Sequence, residues 1–462
     1  MISRIALALL LSAASLPAQA VRPDIRARLD AVVKAFSSGS PDIFEAMAQA
    51  SFAPELLARR TPEERKRLLA QVHGELGKLE AVDEDAAAPG RFEIALRGSK
   101  GGAATLMIEL ETSPPYRITN LGLRIGGGPS GPARDALPAP PITPSMPAQE
   151  LATTMDVYLS PLAASGEFAG VVLVAKDGKP LFEKGYGPAD RDRSVAVTTD
   201  LGFNVASIGK AFTKVAIGQL ISQGTLAPTD TIGAKLRDYP NRDAHGATID
   251  QLLTHRGGIA DFFGEEFDRL PKDRFASNAD YYRYVAPKPL LFPPGTRNQY
   301  CNGCYIVLGE VIAAISGMPY EQYITERVLK PAGMTGAGFL SYGDPKVAPP
   351  YTRRRGPTPT SAIGGHGRRG SAAGGSFARA ADLLAFDNAV REGRLLDKKM
   401  TAWFFGGGTA GPRMLAPYGI AGGAIGANAI LESDGVWTVV VVGNLDPPNA
   451  SRIGMAIKSK LR

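Results

Sequence analysis

A serine and a lysine stand three residues apart in a segment that is otherwise mostly apolar. The segment, FNVASIGKAFTKVAIGQL at residues 203–220, contains Ser207 and Lys210. At helical spacing the two side chains share one face, so the amine can reach the hydroxyl. Burial of such a helix disfavours the ammonium form, which makes Lys210 a base able to activate Ser207 as a nucleophile. Ser-x-x-Lys alone occurs by chance in many proteins, so the pair indicates a catalytic site only together with further motifs.

A tyrosine and an asparagine form a second motif about ninety residues further along the chain. Tyr300 and Asn302 lie in FPPGTRNQYCNGCYIVLGEVI, after a Pro-Pro-Gly turn and just ahead of a strongly apolar helix. In that position both polar side chains can face a cleft. The alternative is a turn anchored by ordinary hydrogen bonds, which the presence of the Ser-x-x-Lys pair disfavours.

In this order the motifs resemble those of the penicillin-binding proteins and class C β-lactamases, together with their esterase relatives. Those families use Ser-x-x-Lys, then Tyr-x-Asn, then a Lys/His-x-Gly motif on a strand, a set related to the motifs of class A enzymes. Further similarity lies in LLTHRGGI at 252–259, FPPGT at 292–296 and AAGGSFARAADLLAF at 372–386. The resemblance covers residues 146–462 and implies an α+β DD-peptidase/β-lactamase fold.

The resemblance also implies acyl transfer through a covalent serine, without a cofactor or a metal. Ser207 would attack a carbonyl, and Lys210 and Tyr300 would share the proton that Tyr300 later delivers to the leaving group. Asn302 would orient Lys210 and the substrate amide. His255 follows a predicted helix and receives only a supporting structural role.

The third motif departs from the family pattern. The expected Lys or His is replaced by Ile420 in YGIAGGAIGANAIL, although Gly422 and Gly423 remain. A glycine pair lets the backbone approach closely, so the N–H groups of Gly423 and Ser207 can form an oxyanion hole. His366 is no substitute, because it precedes the AAGGSF segment instead of lying on the terminal hairpin. Loss of the cation weakens recognition of a substrate carboxylate.

Five arginines between Thr352 and Gly370 form a basic stretch with no acidic residue. They are Arg353, Arg354, Arg355, Arg368 and Arg369. The stretch is either a solvated loop or a rim that attracts an anionic substrate or cell-envelope polymer. In the second case Arg368 joins Ile420 and Gly422 among the predicted substrate-binding residues.

These observations favour a serine esterase or amidase that acts on a small ester or amide. The alternatives are a D-alanyl-D-alanine carboxypeptidase, a D-amino-acid amidase or a β-lactamase, acting on a peptidoglycan-type peptide or a related compound, with the arginine-rich stretch replacing the missing cation. A further alternative, from another class, is a non-catalytic protein that binds a cell-wall ligand. The net charge of +7 is small and scattered over 462 residues, which argues against nucleic acid as a partner.

Cys301 and Cys304 are the only cysteines, and they flank Asn302. A metal site needs more ligands than the sequence places nearby. A disulfide between the two cysteines and a pair of free thiols are both compatible with the sequence.

The remaining sequence predicts two domains joined by a linker. Residues 21–127 form a small accessory α+β domain, because helical patterns precede three alternating strand patterns. Residues 128–147 are rich in Gly and Pro and form the linker. Residues 148–462 form the hydrolase domain. Hairpins with Asp-Gly turns near both ends of this domain predict one antiparallel sheet, with a helical region inserted between them.

Residues 1–20 predict a signal peptide and hence a periplasmic or secreted protein. A single charge, Arg4, precedes an apolar run at residues 5–11, and Ala18-Gln19-Ala20 is a small-residue cleavage signal. No later stretch approaches the roughly 18 apolar residues that span a bilayer.

Overall fold

The computed structural model describes residues 22–461 apart from 59, 89, 100–102, 126–136, 355, 357 and 407–414. The chain divides into two compact units, Met1–Asp135 and Ala136–Arg462. The predicted signal peptide, residues 1–20, lies outside the described residues. The same holds for residues 128–136 of the predicted linker and for Arg355.

The first unit contains a group of helices followed by a four-stranded antiparallel sheet. The helices are α1 (Pro23–Ser38), α2 (Pro41–Ser51), α3 (Pro54–Leu57) and α4 (Pro62–Leu76). The strands, which pair in chain order, are β1 (Leu79–Ala88), β2 (Arg91–Gly98), β3 (Ala103–Leu110) and β4 (Ile118–Ile125). Apolar side chains of both layers, among them Val32, Phe36, Ile94 and Leu106, form one buried core.

Strands from both ends of the second unit form one five-stranded antiparallel sheet. They are β5 (Gly170–Lys176), β6 (Lys179–Tyr186), β13 (Tyr418–Ala424), β14 (Ala427–Ser433) and β15 (Trp437–Gly443). Their spatial order is β13-β14-β15-β5-β6, so the two terminal hairpins combine as predicted. At the turn between β5 and β6, Asp177 and Gly178 have φ angles of +51° and +75°, which Asp-Gly adopts readily.

The central strand β15 is buried along its whole length because helices cover both faces of the sheet. Val440 and Val442 point into the larger core, which includes the helical region. Val439 and Val441 point into a second core under α5 (Ala148–Ala164) and α16 (Asn449–Ser459). Alternate side chains of a strand face opposite sides of a sheet, so burial on both sides requires an apolar run without polar alternation.

The helical region between the two hairpins carries the candidate site. Its helices are α6 (Gly209–Ser222), α7 (Ile232–Lys235), α8 (Ile249–Leu253), α9 (Glu265–Arg269), α10 (Asn278–Val285), α11 (Asn302–Ser316), α12 (Tyr320–Ile324), α13 (Lys330–Ala332), α14 (Ala380–Arg391) and α15 (Lys398–Phe404). Its short strands are β7 (Pro188–Asp190), β8 (Val195–Ala196), β9 (Phe203–Asn204), β10 (Tyr351–Thr352), β11 (Thr360–Ser361) and β12 (Phe377–Ala378). Helix α6 is largely buried, and its Phe212 packs edge-to-face on Phe386 of α14 at 4.9 Å between ring centroids.

No single described helix is long and apolar enough to cross a membrane. The bent pair Asn302–Ser316 and Tyr320–Ala332 meets the length and composition criteria only when its two parts are counted together.

Candidate active site

Ser207 lies in a strained one-turn helix directly before α6. Its neighbour Ala206 has a φ of +46°, which a residue with a side chain rarely adopts and which costs about 1–3 kcal/mol. Two hydrogen bonds hold this turn: the Ala206 N–H donates to Asn204 Oδ1 at 2.9 Å, and the Gly375 N–H donates to the Ala206 carbonyl at 3.2 Å. Gly374 leaves room for the approach, since a Cβ there would lie 2.3 Å from the Ala206 oxygen. The AAGGSF segment therefore shapes the turn that presents Ser207.

The four side chains predicted to carry the chemistry lie together around the Ser207 hydroxyl. Lys210 Nζ is 3.2 Å and the Tyr300 hydroxyl 2.6 Å from Ser207 Oγ. Lys210 Nζ also donates to Asn302 Oδ1 at 2.8 Å and to the Ala373 carbonyl. Lys210 lies in the first turn of α6 and Asn302 is the first residue of α11, so the packing of these two helices brings the two motifs together.

Burial divides the proton-transfer roles between Lys210 and Tyr300. Lys210 is only 5% exposed, and this burial lowers its pKa from 10.5 to about 7, so a large share of the amine is neutral near pH 7. Tyr300 is 54% exposed as a residue, but burial of its hydroxyl end raises the pKa of the phenol. Lys210 can therefore act as the base for the Ser207 proton, and Tyr300 as a donor that protonates a leaving group.

Asp261 is a charged residue of the site that the sequence analysis did not identify. Its Oδ2 accepts a hydrogen bond from Asn302 Nδ2 at 2.8 Å. Asp261 follows the LLTHRGGI segment by two residues, and this nearness is the only signal that the sequence offers. A lone aspartate in a loop gives no pattern from which its partner can be predicted.

His255 and a disulfide support the backbone that presents Tyr300 and Asn302. His255 Nδ1 accepts the Cys301 N–H at 3.2 Å, and the ring centroids of His255 and Tyr300 are 4.7 Å apart. Burial lowers the pKa of His255, which keeps the imidazole neutral and able to accept this bond. Cys301 and Cys304 form a disulfide, which decides between the two alternatives that the sequence left open.

The edge strand β13 brings the third motif next to the nucleophile. A Cβ at Gly422 would lie 2.2 Å from the Val205 carbonyl oxygen and 3.0 Å from the Ser207 nitrogen, so the close approach requires glycine. Gly423 lines the cavity that contains Ser207. Ile420 lies outside the lining of that cavity, and its half-buried side chain packs against the larger core.

His366 lies beside the terminal hairpin, although it is distant in sequence. Its Nε2 is 2.6 Å from the carbonyl oxygen of Ile425, in the turn between β13 and β14, and the residue lines the Ser207 cavity. His366 therefore contacts the hairpin without being part of it, and its exclusion as a substitute for the third-motif cation stays a prediction. The two contacting residues are 59 positions apart, so no local pattern links them. Burial lowers the pKa of His366, which keeps the ring neutral at pH 7. A neutral ring does not replace the positive charge that the third motif lacks at Ile420.

A cavity of about 400 Å³ opens beside Ser207 and combines an aromatic wall with a basic rim. The wall is formed by Phe262, Phe263 and Phe267, and the ring centroids of the first two lie 4.3 Å apart. Charged side chains also line the cavity, namely Arg354, Arg368, Arg369 and Asp268. The predicted substrate-binding residue Arg368 thus shares a cavity with the nucleophile. The described residues contain no group of His, Cys, Asp and Glu side chains arranged to hold a metal ion.

Comparison with known proteins assigns these motifs to a family. The Beta-lactamase family profile matches residues 155–458. The chain belongs to the Beta-lactamase family. This membership confirms the resemblance found in the motifs and makes the chain a member of a serine-hydrolase family.

Two related sequences and one solved structure show the extent of the similarity. PbpX of Bacillus subtilis is 31% identical over 234 residues, which are 50% of this chain and 57% of PbpX. Esterase EstB of Burkholderia gladioli is 30% identical over 221 residues, 45% of this chain and 56% of the esterase. The chain thus spans little more than half the length of these relatives. A penicillin-binding protein from Bacillus halodurans has a TM-score of 0.58 at 23% identity, covering 65% of this chain and 98% of that protein, which confirms the α+β fold class.

Proposed function

We propose that this protein is an exported serine hydrolase that cleaves carboxylic esters and small amides through an acyl-enzyme at Ser207. The observation that carries the proposal is a pair of hydrogen bonds on one hydroxyl, since Lys210 lies 3.2 Å and Tyr300 2.6 Å from Ser207 Oγ. A neutral amine and a protonated phenol on the same oxygen supply a base and an acid for acyl transfer. Export rests on the signal-peptide pattern of residues 1–20.

In the acylation step, Ser207 Oγ attacks the carbonyl carbon while Lys210 Nζ accepts the hydroxyl proton. The backbone N–H groups of Ser207 and Gly423 stabilise the tetrahedral oxyanion. When this intermediate collapses, the bond to the leaving alkoxide breaks, Tyr300 protonates the alkoxide, and the Lys210 ammonium returns a proton to the phenolate. Water then hydrolyses the acyl group from Ser207 through the reverse proton transfers.

Neutral esters are the substrates that the third motif favours. Ile420 occupies the place of the cation that the family pattern directs at a substrate carboxylate, and a carboxylate without such a partner loses hydration uncompensated. The aromatic wall of the cavity offers apolar surface to an acyl chain, and its Phe263 is 56% exposed. EstB, to which the chain is similar, is named an esterase.

A second candidate is a peptidase, D-amino-acid amidase or β-lactamase that acts on carboxylate-bearing amides. It is favoured by Arg354 and Arg368, because both line the Ser207 cavity and an arginine there can bind a carboxylate through two hydrogen bonds. In this case the arginine-rich stretch supplies the charge that Ile420 lacks.

A matched pair of chromogenic esters separates the two candidates. 4-Nitrophenyl valerate and the 4-nitrophenyl monoester of glutaric acid have acyl chains of equal length, and only the second carries a carboxylate. We expect the valerate ester to give the higher kcat/KM. A preference for the glutarate monoester that is lost in Arg368→Ala would support the second candidate instead. Arg193→Ala is the control, because the Arg193 side chain is 82% exposed and lies outside the cavity lining.

A fluorophosphonate probe tests the nucleophile and also the non-catalytic alternative. An activated serine attacks such an electrophile, so the mature protein should be labelled at Ser207 and the Ser207→Ala variant should remain unlabelled. The exposed Ser165, changed to alanine, should leave labelling intact. Absence of labelling and of ester hydrolysis in the unchanged protein would contradict the proposal and favour a protein that only binds a cell-wall ligand.

A further inference from the structure

Asp261 lies where the proton-transfer residues meet the substrate cavity. Its half-buried side chain belongs to the loop between α8 and α9. Asp261 Oδ2 accepts a hydrogen bond from Asn302 Nδ2 at 2.8 Å, and Oδ1 accepts the Phe263 N–H at 3.1 Å. One carboxylate therefore holds both the asparagine that contacts Lys210 and the backbone of an aromatic residue that lines the cavity.

The chemistry of a carboxylate decides which end of the Asn302 amide faces Lys210. An ionised carboxylate only accepts hydrogen bonds, so the NH2 group of Asn302 must point toward Asp261. The amide oxygen is then left to face Lys210, whose Nζ lies 2.8 Å away. By accepting an N–H of Lys210, that oxygen directs the amine toward the Ser207 hydroxyl at 3.2 Å. Without Asp261, either end of the amide can turn toward Lys210.

Asp261 also acts on Lys210 through its charge. Burial lowers the pKa of Lys210, and the negative charge of Asp261 opposes that effect. Near pH 7 the other groups that the described residues place around the amine carry no charge. They are the Ser207 hydroxyl, the Asn302 amide, the Ala373 carbonyl, the rings of Tyr300 and Tyr305, and the imidazole of His255. The carboxylate of Asp261 is therefore the group whose removal should change the protonation of this base.

We propose that Asp261 is a positioning residue of the acyl-transfer reaction, holding the Asn302 amide so that Lys210 is directed at Ser207. The hydrogen bond from the Phe263 N–H to Asp261 also connects this arrangement to the aromatic wall of the cavity. The inference rests on the proposed function, because it needs Lys210 to act as the base. Asp261 orients the amine through its hydrogen bond with Asn302 and influences the protonation of Lys210 through its charge.

The variant Asp261→Asn keeps the side-chain volume but removes the charge. It also replaces a group that only accepts hydrogen bonds by an amide that can donate as well as accept. The rate of fluorophosphonate labelling is measured between about pH 5 and pH 10. It rises with pH as Lys210 loses its proton, and this rising part of the profile is the acid limb. In Asp261→Asn the acid limb should lie at lower pH than in the unchanged enzyme. The limb moves because Lys210 loses its proton more easily without the nearby negative charge. The plateau rate should fall about 10- to 100-fold, since misplacement of a catalytic group costs up to about that much.

Two comparison variants separate positioning from general stability. Asp250→Asn removes an equal charge from an exposed position on α8 and should change neither the acid limb nor the plateau. Asp261→Glu keeps the charge but moves the carboxylate by one methylene, so its limb should coincide with that of the unchanged enzyme while its plateau falls. A limb that shifts equally in Asp261→Glu and Asp261→Asn would contradict the role assigned to the charge.

A double variant tests whether Asp261 acts through Asn302. In an Asn302→Ala background, Asp261→Asn should lower the plateau little further, because residues that act through one contact are not additive. A full additional loss in the double variant, or an acid limb that does not move in Asp261→Asn, would overturn the proposal. A purely structural role would lower the rate of active protein without moving the limb.

The same experiment distinguishes this inference from the proposed function. If the unchanged enzyme is not labelled at Ser207, the proposed function fails and the inference fails with it. If it is labelled and Asp261→Asn behaves like Asp250→Asn, only the role of Asp261 is refuted. Circular dichroism establishes that each variant is folded. If Asp261→Asn does not fold, Asp261→Ala takes its place in the test. A limb that moves to lower pH with a lower plateau then supports the proposal, and a limb that coincides with that of the unchanged enzyme refutes it.

Discussion

Replacing Lys210 by methionine should abolish catalysis and at the same time stabilise the folded protein near neutral pH. The residue is 5% exposed, and burial lowers the pKa of its amine from 10.5 to about 7. At about 1.4 kcal/mol for each pH unit, keeping this lysine charged in the folded protein costs about 5 kcal/mol below pH 7. Methionine has a similar length and an apolar, adaptable side chain with no charge to desolvate.

Part of that gain is offset by the partners that the lysine leaves behind. Asn302 Oδ1 and the Ala373 carbonyl both lose the donor that Lys210 provides. Each buried acceptor without a partner costs about 1–3 kcal/mol, and at the middle of that range the two acceptors offset about 4 kcal/mol. The free energy of unfolding of Lys210→Met at pH 7 and below should therefore exceed that of the wild type by about 1 kcal/mol.

The advantage of the methionine variant should shrink as the pH rises. Between about pH 7 and pH 10.5 the unfolded chain keeps the Lys210 proton while the folded chain releases it, so the wild-type protein gains stability with pH. Methionine binds no proton, so residue 210 does not change the stability of the variant with pH over the same range. The difference in free energy of unfolding should fall by about 1.4 kcal/mol per pH unit and change sign at high pH.

Denaturant unfolding at several pH values between about 6 and 9 measures this difference directly. Lys179→Met is the matched control, because Lys179 is exposed on β6 and should show no such dependence on pH. Ester hydrolysis by Lys210→Met should fall by several orders of magnitude. A variant less stable than the wild type at pH 6, or a difference that stays constant with pH, would refute the argument that burial sets the Lys210 pKa.

Other changes test the backbone, the disulfide and export. Gly422→Ala should suppress ester hydrolysis, because the added Cβ would lie 2.2 Å from a carbonyl oxygen beside the nucleophile; activity near wild type would contradict this packing. Ala206→Gly should raise the free energy of unfolding by up to about 1 kcal/mol, since glycine adopts the φ of +46° without strain, and a decrease counts against that account. Peptide mapping of unreduced protein should find Cys301 bonded to Cys304 rather than two free thiols. Expressed with residues 1–20, the protein should leave the cytoplasm with an N-terminus near Val21, whereas cytoplasmic recovery of the uncleaved chain argues against export.

The four residues around the Ser207 hydroxyl could be predicted because each pair forms a short local motif. Ser207 and Lys210 are three positions apart, which places them on one helical face. Tyr300 and Asn302 are separated by a single residue in a turn just ahead of an apolar helix, where both side chains can face a cleft. The meeting of the two pairs depends on the packing of α6 against α11. Spacing cannot predict that packing, and the family resemblance supplied it.

Local turns could be predicted from the sequence, whereas contacts between residues far apart in the chain could not. The terminal hairpins were predictable because tight turns between antiparallel strands favour Asp-Gly. Asp177 and Gly178 of the first turn and Gly435 of the second have positive φ angles. Asp261 and His366 instead meet partners 41 and 59 positions away in loops that have no periodicity. The arginines were visible as a cluster, but only the fold shows that Arg354 and Arg368 line the cavity of Ser207.

Under the proposed function, the buried Lys210 is kept for catalysis and not for folding. An apolar side chain at position 210 would avoid the loss of hydration that lowers the pKa of the amine. The site nevertheless provides Lys210 with two acceptors, Asn302 Oδ1 and the Ala373 carbonyl, and fixes the first of them through Asp261. These contacts orient the amine and do not merely bury it. A lysine that served the fold would destabilise the protein when replaced by methionine, whereas a lysine kept for its basicity should stabilise it, so the sign of that one measurement separates the two explanations without reference to any relative.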